Sequence, residues 1–312
     1  MSRSARPRLS DEERAERRQR DRQLAQRAAE ELRSSDGWRS WLRVRARTGL
    51  ARYSLRNQLL IALQDPEAVR VAGFRAWRAL GYCVPKGERS RIRVWARCEP
   101  SKTRLQAWRD AGSEPGERPK PFYKLEAVFS QAQVEPLPPP AQPVPLEDLV
   151  VPPAGDELAW TLAPLAALSE ELHVTVEDVA LPEGFDGFYD CKRAAIGISS
   201  RLHSDNARAA TLVHELAHAL VRLDRRPEDP SLGYAEEELV VESVAFTVCG
   251  GLGIDMTGAS IPYFASWAEH APLQTLGGTA SLIDRLARRV EDAVDLAPPD
   301  AEAGETPPAI EG

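Results

Sequence analysis

The sequence predicts an α+β chain in two domains joined by a proline-rich linker, and three observations carry that expectation. Helical and strand-like periodicities are interspersed along the chain, with no internal repeat. Eight prolines fall between Glu135 and Pro153, among them Pro138-Pro139-Pro140, and such a stretch forms neither helix nor inner strand. The charge divides at the same place. Residues 1–130 hold 30 Lys and Arg against 16 Asp and Glu, a net of +14, while residues 131–312 hold 10 against 31, a net of −21. Halves of opposite sign are expected to serve different partners, with a polyanion for the basic one, or else to dock on each other.

Taken in order, residues 1–10 read as disordered, and Asp11 to about Arg33 as a charged helix with a solvated face. Helical patterns follow over Trp38–Arg47 and Ser54–Leu63. A small α+β segment runs from Val69 to about Phe129, with strand alternation in Arg91-Ile92-Arg93-Val94-Trp95. Beyond the prolines, a helix is expected near Asp156–Leu172, a strand at His173–Val179 and a strand or hairpin at Gly187–Ser199. Ser204 or Asp205 can cap the next helix. Ala235–Cys249 reads as a helix ended by Gly250-Gly251, and Ala280–Val294 as the last one. The expected boundaries are a charged arm at 1–34, a basic domain at 35–134, the linker at 135–155, a second domain at 156–295 and a disordered acidic tail at 296–312.

Several classes are set aside by composition. No apolar run is long enough to span a membrane, so no membrane partner is expected. The N-terminal residues lead into charge rather than into an apolar signal segment. Cys83, Cys98, Cys191 and Cys249 are scattered, with no CxxC pair, which argues against a thiolate metal site or a disulfide framework and for a cytoplasmic location.

The segment carrying the most chemistry is His214-Glu215-Leu216-Ala217-His218. Positions i and i+4 share a helix face, so both imidazoles can reach one ion, and Glu215 stands beside them as a candidate general base. The flanks Thr211-Leu212-Val213 and Ala219-Leu220-Val221 are apolar nearly all round, which predicts a buried helix. Two histidines and a glutamate there need partners or a metal. Catalytic zinc takes three protein ligands, so Zn2+ is the expected ion and a third ligand is needed. Glu236, Glu237 and Glu238 lie in the first turn of the following helix, where the helix dipole alone accounts for acid. Glu242, flanked by Val240-Val241 and Val244-Ala245-Phe246, is the expected ligand, with Glu238 the second choice or a supporting partner. Asp224 and His203 are weaker alternatives, and Tyr234 and Tyr263 are the only visible candidates for stabilising an oxyanion. The chemistry expected is hydrolysis of a peptide bond in a protein substrate, with Glu215 moving the proton.

The basic half interleaves arginines with Tyr53, Phe74, Trp77, Tyr82 and Trp95. Cations meeting phosphates and aromatic faces stacking on unpaired bases make single-stranded nucleic acid the expected partner. Tyr53, Asn57, Arg75, Trp77, Lys86 and Arg89 are the candidate contacts.

Two resemblances run along the chain in order. TLVHELAHAL, then VVESVAFTVCGGLGID and IPYFASWAEH, resembles the ImmA/IrrE-type metallopeptidase domain found at the C-terminus of ArdC-like antirestriction proteins. GFDGFYDCKRAAIGIS resembles the strand that precedes the catalytic helix in that family. The resemblance implies a gluzincin-like zinc peptidase domain, with His214, Glu215 and His218 at the catalytic motif and Glu242 at the acidic ligand position. Tyr53-Ser54, Asn57, Leu60-Ile61, Gln64, Pro66, Val71, Gly73-Phe74, Trp77, Gly81 and Lys86-Gly87-Glu88 resemble the single-strand DNA-binding domain at the N-terminus of ArdC-like proteins, with Ala127-Val128-Phe129 and Gln133 near its end. Tyr82 stands where that family tends to have a basic residue, and Ser90 where it tends to have glycine. The implied function is an antirestriction protein that binds single-stranded DNA and carries a zinc metallopeptidase. The alternative is a non-proteolytic DNA shield with a structural or regulatory metal.

Overall fold

In the computed structural model, residues 10–47, 49–112, 121–146, 151–254 and 271–294 are described. The chain opens with helix α1 (Asp11–Glu30), which starts in a capping box: Ser10 Oγ accepts from the Glu13 amide, and the Glu13 carboxylate reaches back to the Ser10 amide. Most of α1 is exposed, but Asp21, Ala28 and the following Leu32 are buried. Helices α2 (Ser35–Arg45) and α3 (Leu55–Gln64) come next. In α2 Trp38, Trp41 and Leu42 have no exposed surface, and the two indole rings meet edge-on at 5.1 Å.

An antiparallel sheet in the order β1 (Val71–Ala72), β4 (Phe122–Ser130), β3 (Ile92–Cys98) follows, with the short helices α4 (Phe74–Ala79) and α5 (Lys102–Asp110) between its strands. The free edge of β3 is closed by amide side chains rather than by another strand. Asn57 donates to the Trp95 carbonyl at 2.9 Å and accepts from the Trp95 amide at 2.8 Å, while Gln64 does the same for Arg93 at 3.0 Å each way. The two side chains lie seven residues apart, two turns along one face of α3, and satisfy alternate residues of the strand.

The proline-rich stretch lies against the first unit. Its residues Glu135–Pro136 form β5, which pairs antiparallel with β2 (Tyr82–Cys83). The non-proline amides supply what proline cannot: Leu137 donates to the Gly81 carbonyl at 2.8 Å and Val144 to Leu80 at 3.0 Å. Tyr82, 9% exposed, donates its hydroxyl to the Val144 carbonyl.

Beyond it lie α6 (Ala159–Glu171) and a mixed sheet in the order β6 (Thr175–Val179), β8 (Ala195–Ser199), β7 (Gly187–Asp190). Strand β8 is central, wholly buried, parallel to β6 and antiparallel to β7, so β7 is an edge strand. Helices α7 (Asp205–Leu223), α8 (Tyr234–Gly251) and α9 (Leu273–Ala293) pack on one another. Helix α8 runs through Gly250-Gly251 instead of stopping before them. An added Cβ at Gly250 would stand 2.9 Å from the Ala46 Cβ, so this glycine serves a close approach to the end of α2, not chain termination.

Buried residues on both sides of the proline-rich stretch belong to one connected apolar cluster, from Trp38 and Leu60 to Val248, Leu276 and Ile283. Buried polar groups stitch the same join. Arg45 of α2 pairs with Asp284 and Glu291 of α9, and Gln58 accepts from the Trp41 indole while donating to the Tyr53 carbonyl and to Asp284. The basic and acidic halves therefore dock and neutralise each other in part. The contact with α8 falls at its Gly250 end, about 18 Å of helix rise from Glu238. No described helix is long and apolar enough to cross a membrane.

Candidate metal centre

Helix α7 starts at Ser204, whose hydroxyl oxygen accepts from the amides of Ala207 and Gly155. Asn206, with no exposed surface, accepts from the Leu158 amide and donates to the Pro152 carbonyl, so the start of α7 is pinned to the segment leading into α6. Leu212, Val213, Leu216, Ala217, Ala219 and Leu220 are buried, while His214 and His218 lie on the half-buried stripe left between them. Their rings meet edge-on at 5.2 Å.

Helix α8 crosses beside this stripe. One donor atom each from His214, His218 and Glu238 lies within 4.8 Å of the others, the metal-compatible group found among the described residues. Glu238 Oε2 stands 3.8 Å from His218 Nε2. The expected ligand Glu242 is not in this group, and its side chain is exposed. Its apolar sequence neighbours Val240, Val241 and Val244 are buried on the other side of α8. Adjacency in sequence thus misstated its surroundings, because neighbouring positions on a helix face different ways. Glu238, one turn earlier on the same face, reaches the histidines instead.

Glu215 is 6% exposed. Burial, and secondly the charge of Glu238, raise its carboxyl to about 7. Glu242 is likewise raised by desolvation and by Glu238. Burial and the neighbouring His218 lower His214, favouring the neutral imidazole that a metal requires. Two nitrogen donors and a carboxylate oxygen, with further acid crowded beside them, fit a divalent cation of the zinc or manganese type. The edge strand β7 runs close over Glu215: an added Cβ at Gly187 would stand 2.6 Å from Thr211 Cγ2 and 3.2 Å from Glu215 Cγ. Tyr234 is 81% exposed, and its hydroxyl bonds to Glu238, which raises the phenol. Asp224 is held by Arg285 at 2.6 Å, and His203 is exposed outside the group. Tyr263, like the IPYFASWAEH segment and the acidic tail, lies outside the described residues.

The candidate DNA contacts separate into two sets. Trp77 has no exposed surface, donates its indole N–H to the Phe129 carbonyl at 2.9 Å and packs edge-on against Tyr82. Tyr53 donates to the Val71 carbonyl, and burial raises its phenol to about 12. Asn57, 8% exposed, is the clasp on β3. These three side chains hold the fold, and the ring of Trp77 has no free face for a base. Arg75, Lys86 and Arg89 are exposed, as is Phe74 at 49%. Tyr123, 63% exposed and opposite Arg97 in the β3–β4 ladder, is an aromatic that the sequence reading did not single out. Ser90 donates to the Val128 carbonyl, and Gly87 takes a φ of +96° in the loop bearing Lys86 and Arg89.

Comparison with known proteins finds similarity to two of them. The chain is 24% identical over 246 residues to an uncharacterized protein of Bacillus anthracis, covering 70% of this chain and 41% of that one. It therefore spans about two fifths of that relative's length. The antirestriction ArdC protein of plasmid R388 in its metal-free crystal structure is 22% identical, with a TM-score of 0.48 over 91% of this chain and 99% of that one. The Mn(II)-bound structure of the same protein is 22% identical with a TM-score of 0.47, over 88% and 96%. Over residues 22–129, the chain matches the family described as the N-terminal domain of anti-restriction factor ArdC.

Proposed function

We propose that this chain is a metal-dependent peptidase attached to a single-strand DNA-binding unit, and that it acts in antirestriction or in proteolysis on DNA. The observation that carries the peptidase reading is the convergence of His214, His218 and Glu238, with the nearly buried Glu215 next to the first of them. When bound, a zinc or manganese ion there would polarise a substrate carbonyl and activate a water. His214, His218 and Glu238 would hold it. Glu215 would take the water's proton on its carboxylate and deliver it to the leaving nitrogen. The edge strand β7 over Glu215 and the Tyr234 hydroxyl bound to Glu238 would border the substrate.

The match of residues 22–129 to the ArdC N-terminal domain supports the DNA reading, together with the exposed Phe74, Arg75, Lys86, Arg89 and Tyr123. Cations among exposed aromatic rings suit unpaired bases.

A second reading, a DNA shield in which the metal is structural, is favoured by one observation: the core runs unbroken between the metal-bearing helices and the basic unit. One experiment separates the two. Wild type and Glu215→Ala are compared for bound metal, single-stranded DNA affinity and cleavage of a protein substrate in the presence of Zn2+ or Mn2+ and DNA. Retained metal and DNA binding with lost cleavage supports the peptidase. Wild type that binds metal and DNA but cleaves nothing removes the peptidase reading and leaves the shield.

A further inference from the structure

Consecutive glutamates of α8 serve the two ring nitrogens of His218. Nε2 stands 3.8 Å from Glu238 Oε2, and Nδ1 stands 3.4 Å from Glu237 Oε1. Side chains one residue apart on a helix diverge by roughly 100°, so a ring inserted between them meets both. The Glu237 carboxylate is itself held. Arg222, one turn beyond His218 on α7, donates to both of its oxygens, at 3.1 and 3.2 Å. The Glu237 side chain is 15% exposed, more enclosed than a surface ion pair, and two groups of α7, His218 and Arg222, converge on it.

An imidazole that ligates a metal must present a bare nitrogen to it and carry its proton on the other. An acceptor at the second nitrogen selects that tautomer and stops the ring from rotating. We propose that Glu237, oriented by Arg222, is the positioning residue for His218: it accepts the Nδ1 proton and so directs the Nε2 lone pair toward Glu238 and the ion. This rests on the metal reading above. Arg222 explains why the group can be a carboxylate so near a second one, since its guanidinium offsets the added negative charge and fixes the plane of the oxygens. A plain surface pair between Arg222 and Glu237 would add little to stability and nothing to metal affinity.

The test is a chelator-competition titration of Zn2+ onto the full-length chain, for wild type, Glu237→Ala, Glu237→Gln and Arg222→Met. The visible spectrum of the Co2+ form reports coordination geometry, and the unfolding midpoint of the metal-free protein reports fold. Glu237→Ala is expected to weaken Zn2+ binding by roughly 10- to 100-fold and to alter the Co2+ bands, with the metal-free midpoint unchanged. Glu237→Gln keeps an acceptor oxygen and recovers most of the affinity, and Arg222→Met falls between the two. Wild-type affinity and spectrum in Glu237→Ala, or a Gln variant as weak as the Ala one, overturns the proposal while leaving the metal site standing. A wild-type chain that takes up no Zn2+ overturns both.

Discussion

Arg45 and Glu291, 246 residues apart, form a two-pronged ion pair inside the fold: Nη1 donates to Oε1 at 2.7 Å and Nη2 to Oε2 at 2.9 Å. The arginine is fully buried, the glutamate is 4% exposed, and Asp284 takes the remaining Nε proton. This pair marks where the basic and the acidic halves become one body. Removing one partner would leave buried charge unmatched. Arg45→Met is therefore expected to lower stability by about 3–5 kcal/mol in denaturant unfolding. Arg45→Met combined with Glu291→Met should recover part of that loss. A single variant as stable as wild type would mean that the two halves are not held by this pair.

Asn57 and Gln64 offer a second check on the fold, because each clasps the backbone of one β3 residue. Asn57→Ala orphans the Trp95 amide and carbonyl, so a loss of about 1–3 kcal/mol is expected. The variant's DNA affinity, measured well below its unfolding midpoint, should match wild type. A selective loss of DNA binding at full stability would return Asn57 to the contact surface.

Among the aromatics, burial sorts stacking residues from packing residues. Trp77→Ala is expected to cost about 3–5 kcal/mol of stability through the cavity it leaves. Phe74→Ala and Tyr123→Ala should leave the unfolding midpoint in place and weaken single-stranded DNA binding by about 1–3 kcal/mol each. Fluorescence anisotropy with a labelled oligonucleotide, beside thermal melts, reads both quantities. If neither exposed ring matters to DNA affinity, the interface lies elsewhere on the chain.

Glu215 makes metal-free stability depend on pH. Its carboxyl is raised from an ordinary 4.5 to about 7, so the folded state favours the protonated form. That contribution is fully present below the unfolded value and is lost as pH rises through about 7. Glu215→Gln, which never ionises, should gain on wild type by on the order of 2–3 kcal/mol between pH 4 and pH 8 in metal-free protein. Saturating Zn2+ should shrink the difference, since the cation favours the ionised carboxylate. A gap between the two proteins that does not change with pH would show that Glu215 is not held in a desolvated place.

Much of this was readable from residues alone. The i, i+4 histidines with Glu215 between them depend only on helix periodicity, and α7 carries them on one face with Ser204 as its cap. The hairpin at 187–199, the charged first helix and the strand around Ile92 also follow from local pattern. Other matters were decided by packing between distant segments. Glu238 rather than Glu242 meets the histidines because the place where α8 crosses α7 sets which turn of their shared face lies opposite the histidines, and no local signal encodes that crossing point. Glu237 and Arg222 carry no motif, and only the crossing of the two helices brings them to His218. Trp77 and Asn57 look like ligand contacts in one dimension and are core and clasp in three. Gly250 reads as a stop but serves as a contact with Ala46. The physical reason is common to all four. Periodicity determines what a segment forms and which residues share a face, whereas the partner of that face is set by burial and charge pairing over the whole chain.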